Sequence, residues 1–208
     1  MSTKIQMLQN ADRRKQKIRQ AMMAAAYALI IEKGYDAVTV TDIAARADYG
    51  RSTFYLHFAD KEALVWDMLR EYMQATDATI AEDIEGMDAS MRLWQAWYRI
   101  FSEVEPQRLF FQQLNGELSR RIRLWQREYL IEVFEAQLTT GYYSLMNDVP
   151  PAIGARFIVG SILEILEYAL AQPDTYDALT YTNMMFRLVF RQSLPSQLPA
   201  KNNLDTLP

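Results

Sequence analysis

An all-α fold follows from three observations on this 208-residue chain. Its long segments repeat apolar residues at the three- to four-residue spacing of a helix face, and no strand-like alternation of useful length occurs. The strongest breakers, Gly34, Pro106, Pro150-Pro151 and Pro173, fall between those segments. The expected architecture is a small N-terminal three-helix unit of helix-turn-helix type carried on a larger helical body.

Residues 1–11 are expected to form a mobile arm. The first helix should run from Asp12, a plausible cap, to Lys33, with Gly34 as its stop. Its apolar stripe is Ile18, Met22, Ala25, Ala26, Leu29 and Ile30. Two short helices follow. Thr39 with Asp42 three residues later forms a capping box for the first of them, with Asp in place of the usual Glu. Ile43, Ala44 and Ala47 share one face, where two alanines permit close approach of a neighbour. Asp48-Tyr49-Gly50 makes the turn, because Asp tolerates the left-handed conformation and Gly50 is an acceptable N-cap. The second short helix is expected over Arg51–His57, with Phe54 and Phe58 pointing inward.

Asp60 caps a fourth helix running from Lys61 to about Asp83 with a stripe of Leu64, Met68, Tyr72 and Ala75. Helices are then expected over Met87–Glu103, after Pro106 as far as Gly116, over Ser119–Met146, Ala152–Ala171 and Asp177–Gln192. Asn147 to Pro151 reads as a turn, Pro173-Asp174 as a break, and the tail with Pro195, Pro199 and its asparagines as disordered. The domain expectation is therefore residues 1–74, residues 75–194, and a tail of residues 195–208.

The second short helix leaves Arg51, Ser52, Thr53 and Tyr55 facing outward once Phe54 and Phe58 are buried. A globular surface gains little from exposing these together at a helix start, whereas a reader of the DNA major groove does. Arg pairs bidentately with guanine, and a Thr methyl touches a thymine methyl. Lys61 lies beside the free N–H groups of a helix start, which suits a phosphate oxygen.

In these residues the chain resembles the DNA-binding domain of the TetR family of bacterial repressors. The pattern is Thr39-Val40-x-Asp42-Ile43-Ala44, Ala47, Thr53-Phe54-Tyr55, His57-Phe58 and Asp60-Lys61-Glu62-x-Leu64, with Gly34-Tyr35 upstream. It covers roughly residues 12–70. Departures are Asp48 and Ser52, where the family usually has Gly, Gly50, where it has Ser, and Leu56, where it has an aromatic or His. The resemblance implies that Thr39, Tyr55, His57 and Lys61 contact phosphates. It also implies that Thr41, Arg51, Ser52 and Thr53 approach base edges.

Charge distribution agrees with a DNA-reading head. The net charge is −4, yet residues 1–62 hold ten Lys/Arg against seven Asp/Glu, and the remainder twelve against nineteen. A basic head on an acidic body is the footprint of such a protein. The run from Arg13 to Arg19 would add backbone-directed charge, or simply be a solvated helix start. With no cysteine there is no disulfide framework or thiolate chemistry, as suits a cytoplasmic protein. The longest apolar run, Ala21–Ile31, is too short to span a bilayer, and no membrane partner is expected. Although basic residues precede it, no cleavage site follows, so export is not expected.

Two features of the body bear on function. Trp94, Trp97, Tyr98, Phe101, Phe110, Phe111, Trp125 and Tyr129, with Phe134, concentrate aromatic rings in three consecutive helices. They read as core packing or as the lining of an apolar cavity; the resemblance implies a small-molecule effector there. Ile158, Ile162, Ile165 and Leu166, with Met185 and Leu188 on the last helix, are either internal or a homodimer interface. The resemblance favours the interface, and reading a palindromic operator in double-stranded DNA calls for a dimer.

The chain is not expected to be an enzyme and needs no cofactor. One histidine and no cysteine leave little for metal or nucleophilic catalysis, and no phosphate-binding glycine loop is present. Glu164 and Glu167 are the only suggestive carboxylate pair. The expectation is a ligand-responsive, dimeric DNA-binding transcriptional regulator, most simply a repressor. A helical interaction or scaffold protein is the alternative, though it would leave the outward face of Arg51 to Tyr55 without a purpose.

Overall fold

The computed structural model describes residues 2–87, 89–114, 120–141, 149–172 and 176–189. Among the described residues the only regular elements are helices: α1 (Ser2–Lys33), α2 (Val40–Arg46), α3 (Arg51–Tyr55), α4 (Lys61–Asp83), α5 (Ala89–Val104), α6 (Arg108–Leu114), α7 (Arg120–Thr139), α8 (Pro151–Ala171) and α9 (Ala178–Val189). The fold is all-α, as expected.

Several boundaries differ from the sequence reading, each for a local reason. Residues 1–11 were expected as an arm, but α1 already begins at Ser2. This stretch lacks Gly and Pro and contains Lys, Gln, Met and Leu, all good helix formers, so nothing interrupts propagation towards the N-terminus. Asp12 is thus inside a helix and is not its cap. Helix α7 ends at Thr139 rather than near Met146, because Gly141 adopts a φ of 74° and closes the last turn by donating its N–H to Leu138 O. Gly34, with a φ of 80° and its N–H donated to Ile30 O, ends α1 as anticipated. Helix α3 stops at Tyr55, and residues 56–57 form a turn. The breaks expected at residues 147–148 and 173–174 and the tail from 195 lie outside the described residues.

The chain divides into two compact units. The first contains residues 1–73 and 108–126, the second residues 74–107 and 127–208. The first unit is discontinuous in sequence: α6 and the first turns of α7 join α1 to α4. Its core unites Met22, Ala26, Leu29 and Ile30 of α1 with Ile43 of α2, Phe54 of α3, Leu64 and Val65 of α4, Phe110 and Leu114 of α6, and Ile122 of α7. Tyr27 of α1 stacks on Phe110 with ring centroids 4.8 Å apart. In the second unit α9 packs against both α5 and α8. None of the helices, over the described residues, is long and apolar enough to cross a membrane.

The core sets the attitude of α3. Phe54 is fully buried and Phe58 nearly so, while Leu56 between them is 78% exposed. Replacing Phe54 by Ala should leave a cavity and cost about 3–5 kcal/mol. Leu56→Ala should change stability by less than about 0.5 kcal/mol. Urea unfolding of the full chain distinguishes the two, and equal losses would contradict this packing.

Candidate nucleic-acid interface

The helix-turn-helix is assembled by caps. Thr39 is the N-cap of α2, with its Oγ accepting from Asp42 N at 3.2 Å and its N–H donating to Asp42 Oδ2 at 2.9 Å. The Thr39 hydroxyl also donates to Asp42 Oδ2 at 2.7 Å, and Lys33 Nζ lies 2.8 Å from the same oxygen. The Lys33 hydrogen bond and those from Thr39 hold the Asp42 carboxyl well below the usual carboxylate range.

The C-terminus of α2 is a Schellman motif: Tyr49 N donates to Ala44 O at 2.9 Å and Asp48 N to Ala45 O at 3.2 Å. Asp48 takes the left-handed position with a φ of 60°. It fills the role usually given to Gly, at the lower steric cost that Asp enjoys among non-glycine residues. Gly50 then caps α3 with extended backbone.

Beyond the turn, the free face of α3 carries Arg51 and Ser52, both exposed, Thr53, half-buried, and Tyr55, 47% exposed. Thr41 of α2 is exposed as well. The Arg51 guanidinium lies over the Tyr55 ring, 5.6 Å from its centroid, with Nη2 3.4 Å from the Tyr55 hydroxyl. This i,i+4 contact keeps the arginine close to the helix surface. Leu56 is the most exposed large apolar side chain described and directly follows this face. Its helical phase, opposite to Phe54 and Phe58, was the available signal for that exposure.

The remaining expected contact residues are held more tightly. Lys61 Nζ donates to Tyr35 O at 2.8 Å and Val38 O at 3.0 Å, and sits 4.0 Å from the centroid of the Tyr35 ring. It therefore fastens the start of α4 to the loop between α1 and α2. Beneath it, burial and the neighbouring Glu62, Asp36 and Asp60 push the Tyr35 hydroxyl up to about 12, so it stays neutral. Asp60 caps α4 by accepting from Ala63 N at 2.8 Å, and Arg121 at the start of α7 reaches both Asp60 Oδ2 (2.6 Å) and Glu62 Oε2 (2.7 Å).

His57 is half-buried, and its Nδ1 is buried with no hydrogen-bond partner. Its carbonyl accepts from Arg19 Nη1 at 3.0 Å, while Arg19 Nη2 pairs with Asp67 at 2.6 Å and its guanidinium covers the Phe58 ring at 4.5 Å. Arg19 is thus tied into the fold and separates from the rest of the basic run on α1. Burial, followed by the charges of Arg19 and Lys15, lowers the His57 pKa and keeps the imidazole neutral near pH 7.

The eight aromatic residues proposed to line one cavity are divided between the units. Phe110, Phe111 and Trp125 belong to the first; Trp94, Trp97, Tyr98, Phe101 and Tyr129 belong to the second. Trp94 and Phe101 are fully buried, and Trp94 Nε1 donates to Asn183 Oδ1 at 3.0 Å. Trp97 stacks on Phe134 at 5.7 Å. These three rings pack the core of their unit, because large apolar surfaces on interior helix faces are drawn against each other before any ligand enters. Tyr98 and Tyr129 are half-buried.

The residues expected at a dimer interface differ in exposure. Ile158, Ile162 and Met185 are buried inside their own unit; Ile165 and Leu166 are half-buried, and Leu188 is 71% exposed. The buried face of α8 is wholly apolar, whereas its outward face carries Ile153, Phe157 and Tyr168 together with the charged Arg156, Glu164 and Glu167.

Comparison with known proteins agrees with this geometry. Residues 22–68 match the model for "Bacterial regulatory proteins, tetR family". The HTH-type transcriptional repressor DhaR of Mycobacterium sp. (strain GP1) is 27% identical over 159 residues, covering 69% of this chain and 78% of that protein. Among solved structures, NalD, the secondary repressor of the MexAB-OprM multidrug efflux pump in Pseudomonas aeruginosa, has a TM-score of 0.62 at 23% identity, covering 86% of this chain and 96% of that one. The transcriptional regulator FadR from Bacillus subtilis, in complex with stearoyl-CoA, has a TM-score of 0.60 at 21% identity, covering 82% and 97%.

His57 is the sole histidine, so its proton resonances can be followed directly. Its titration midpoint should lie below 6.5, and Lys15→Ala should raise it. A depressed folded-state pKa means that the unfolded chain binds the proton more readily. His57 should therefore withdraw stability as pH falls through about 6.5 towards the folded value. A midpoint at or above 6.5 in the parent chain would refute the burial and charge argument.

Proposed function

We propose that the chain is a DNA-binding transcriptional regulator of the tetR type, a repressor that binds a palindromic operator as a homodimer; the match of residues 22–68 to the tetR family model and the likeness to the repressor DhaR support this reading. A small apolar or aromatic effector releases it from the DNA, and it acts in the cytoplasm. The observation that carries this reading is the free face of α3. Arg51, Ser52 and Tyr55 are exposed at the start of a helix whose opposite side, Phe54, is fully buried. Such a helix offers donors and acceptors to base edges while its own unit holds it rigid.

Dimerisation follows from the size of the reader, because a single five-residue helix samples only a short half-site. We assign the interface to the outward faces of α8 and α9: Ile153, Phe157 and Tyr168 on one, Met184 and Leu188 on the other, all at least half exposed. Gly160 lies on this side. A Cβ added there would meet only Arg127 Nη2, at an ordinary 3.8 Å, so packing within the subunit does not demand a glycine. Its smallness suits close approach by a second helix.

The effector is assigned an apolar character from the aromatic lining, with half-buried Tyr98 and Tyr129 as its contacts in the second unit. The stearoyl-CoA carried by FadR supports a greasy molecule over a sugar phosphate. DNA contact would come from Thr41, Arg51, Ser52 and Thr53 on base edges and from Tyr55 and His57 on phosphates. Thr39 and Lys61 would serve phosphates while also maintaining the internal bonds that shape the motif.

Selection of bound duplexes from a random pool tests the reading; a palindromic consensus is expected, and failure to enrich any duplex at low salt would overturn it. On that consensus, Arg51→Ala should relax preference at one position of each half-site by about 1–3 kcal/mol, with equal losses on every sequence counting against base reading. Leu188→Glu should shift the protein to a monomer by light scattering at micromolar concentration and weaken binding to the full palindrome. A Leu188→Glu protein that stays dimeric would remove α9 from the interface.

A further inference from the structure

We propose that the exposed basic turn of α1, carrying Arg13, Arg14, Lys15 and Lys17, is a second DNA-binding surface that holds phosphates of the duplex flanking each half-site. It rests on the DNA-reading assignment above and extends the contact outside the helix-turn-helix.

The first argument is burial. Residues 12–17 are all exposed, Ile18 and Arg19 are half-buried, and from Asp12 onward Met22 is the first residue with no exposed surface. This part of the helix packs against nothing described in its own unit, so its charges contribute nothing to the core.

Pairing supplies the second. Arg19, Lys33, Arg46, Arg70 and Arg121 of the same unit each sit on a carboxylate at 2.6–2.8 Å. None of Arg13, Arg14, Lys15 and Lys17 has an ion-pair or hydrogen-bond partner among the described residues. Asp12 is the single acid in the turn. Those five cations are neutralised locally, whereas the four of the basic turn keep their field for a partner.

Position is the third. Lys15 is close enough to His57 to help depress its pKa, and Arg19, one turn later on the same helix, holds the His57 carbonyl at 3.0 Å. The basic turn therefore lies beside the end of the reading motif. Rising about 1.5 Å per residue, it spans about 6 Å from Arg13 to Lys17, while phosphates recur about every 3.4 Å of axis on each strand. Each head can then neutralise about two flanking phosphates. An anionic polymer of regular charge spacing, continuous with the half-site, is the occupant whose chemistry fits.

The test uses the full chain and two duplexes: the selected palindrome trimmed to its half-sites, and the same core with ten added base pairs on each side. The parent protein should bind the long duplex at least about tenfold more tightly, with a salt slope steeper by about two per head. The variant Arg13→Ala/Arg14→Ala/Lys17→Ala, which keeps Lys15 beside His57, should lose most of that gain yet match the parent on the trimmed core. Arg13→Lys/Arg14→Lys should retain it, which separates charge from any loss of structure. A parent protein that binds the core with no gain from added length, or a triple variant equally impaired on both duplexes, overturns this proposal alone. A parent protein that binds neither duplex overturns the DNA-reading assignment with it.

Discussion

Burial of Phe54 is the constraint on which the reading surface depends. Helix α3 has five residues, far fewer than an isolated helix needs in water. It persists because Phe54 is sunk into a core built by α1, α2, α4, α6 and α7. Anchoring that one side chain fixes the helical phase, and the phase selects which residues face out. Arg51, Ser52 and Tyr55 are thus a consequence of packing as much as of their own chemistry. Phe58 prolongs the anchor past the end of the helix, and the guanidinium of Arg19 closes over its ring at 4.5 Å.

Around that anchor the polar groups are organised to hold backbone ends. Asp42 gathers the Thr39 N–H, the Thr39 hydroxyl and the Lys33 ammonium on one oxygen. Asp60 caps α4 while pairing with Arg121, and Lys61 ties the α1–α2 loop to the same helix start. The exposed ion pairs among them are individually weak, but they act on loops that have little buried surface of their own. Thr39 and Lys61, assigned to DNA by resemblance, therefore shape the motif through these internal bonds. A substitution at either position acts on the stability of the motif.

The body obeys a different logic. Its aromatic residues are mostly consumed by packing: Trp94 and Phe101 are fully buried, and Trp97 stacks on Phe134. The apolar surface that remains outward on α8 and α9 consists of large side chains, Phe157, Tyr168 and Leu188 among them. Single exposed hydrophobes are ordinary, whereas several on neighbouring helices mark a surface that meets something else.

Much of the head was legible from sequence because its signals are local. The Thr39–Asp42 capping box, the left-handed Asp48, the Gly34 stop and the Asp60 cap each depend on residues within a few positions of one another, and each appears as anticipated. The start of α1 at Ser2 and the end of α7 at Thr139 were misjudged where a stop was inferred without a breaker or a breaker was passed over. What tertiary structure alone decided is non-local. The recruitment of α6 and the start of α7 into the first unit brings together residues more than 60 positions apart, such as Arg121 and Asp60. In α8 the packed chain alone shows that Phe157 lies outward while its neighbour Ile158 is buried. Local chemistry determines how a helix begins, ends and turns, but which of its apolar residues are buried depends on what the rest of the chain brings against it.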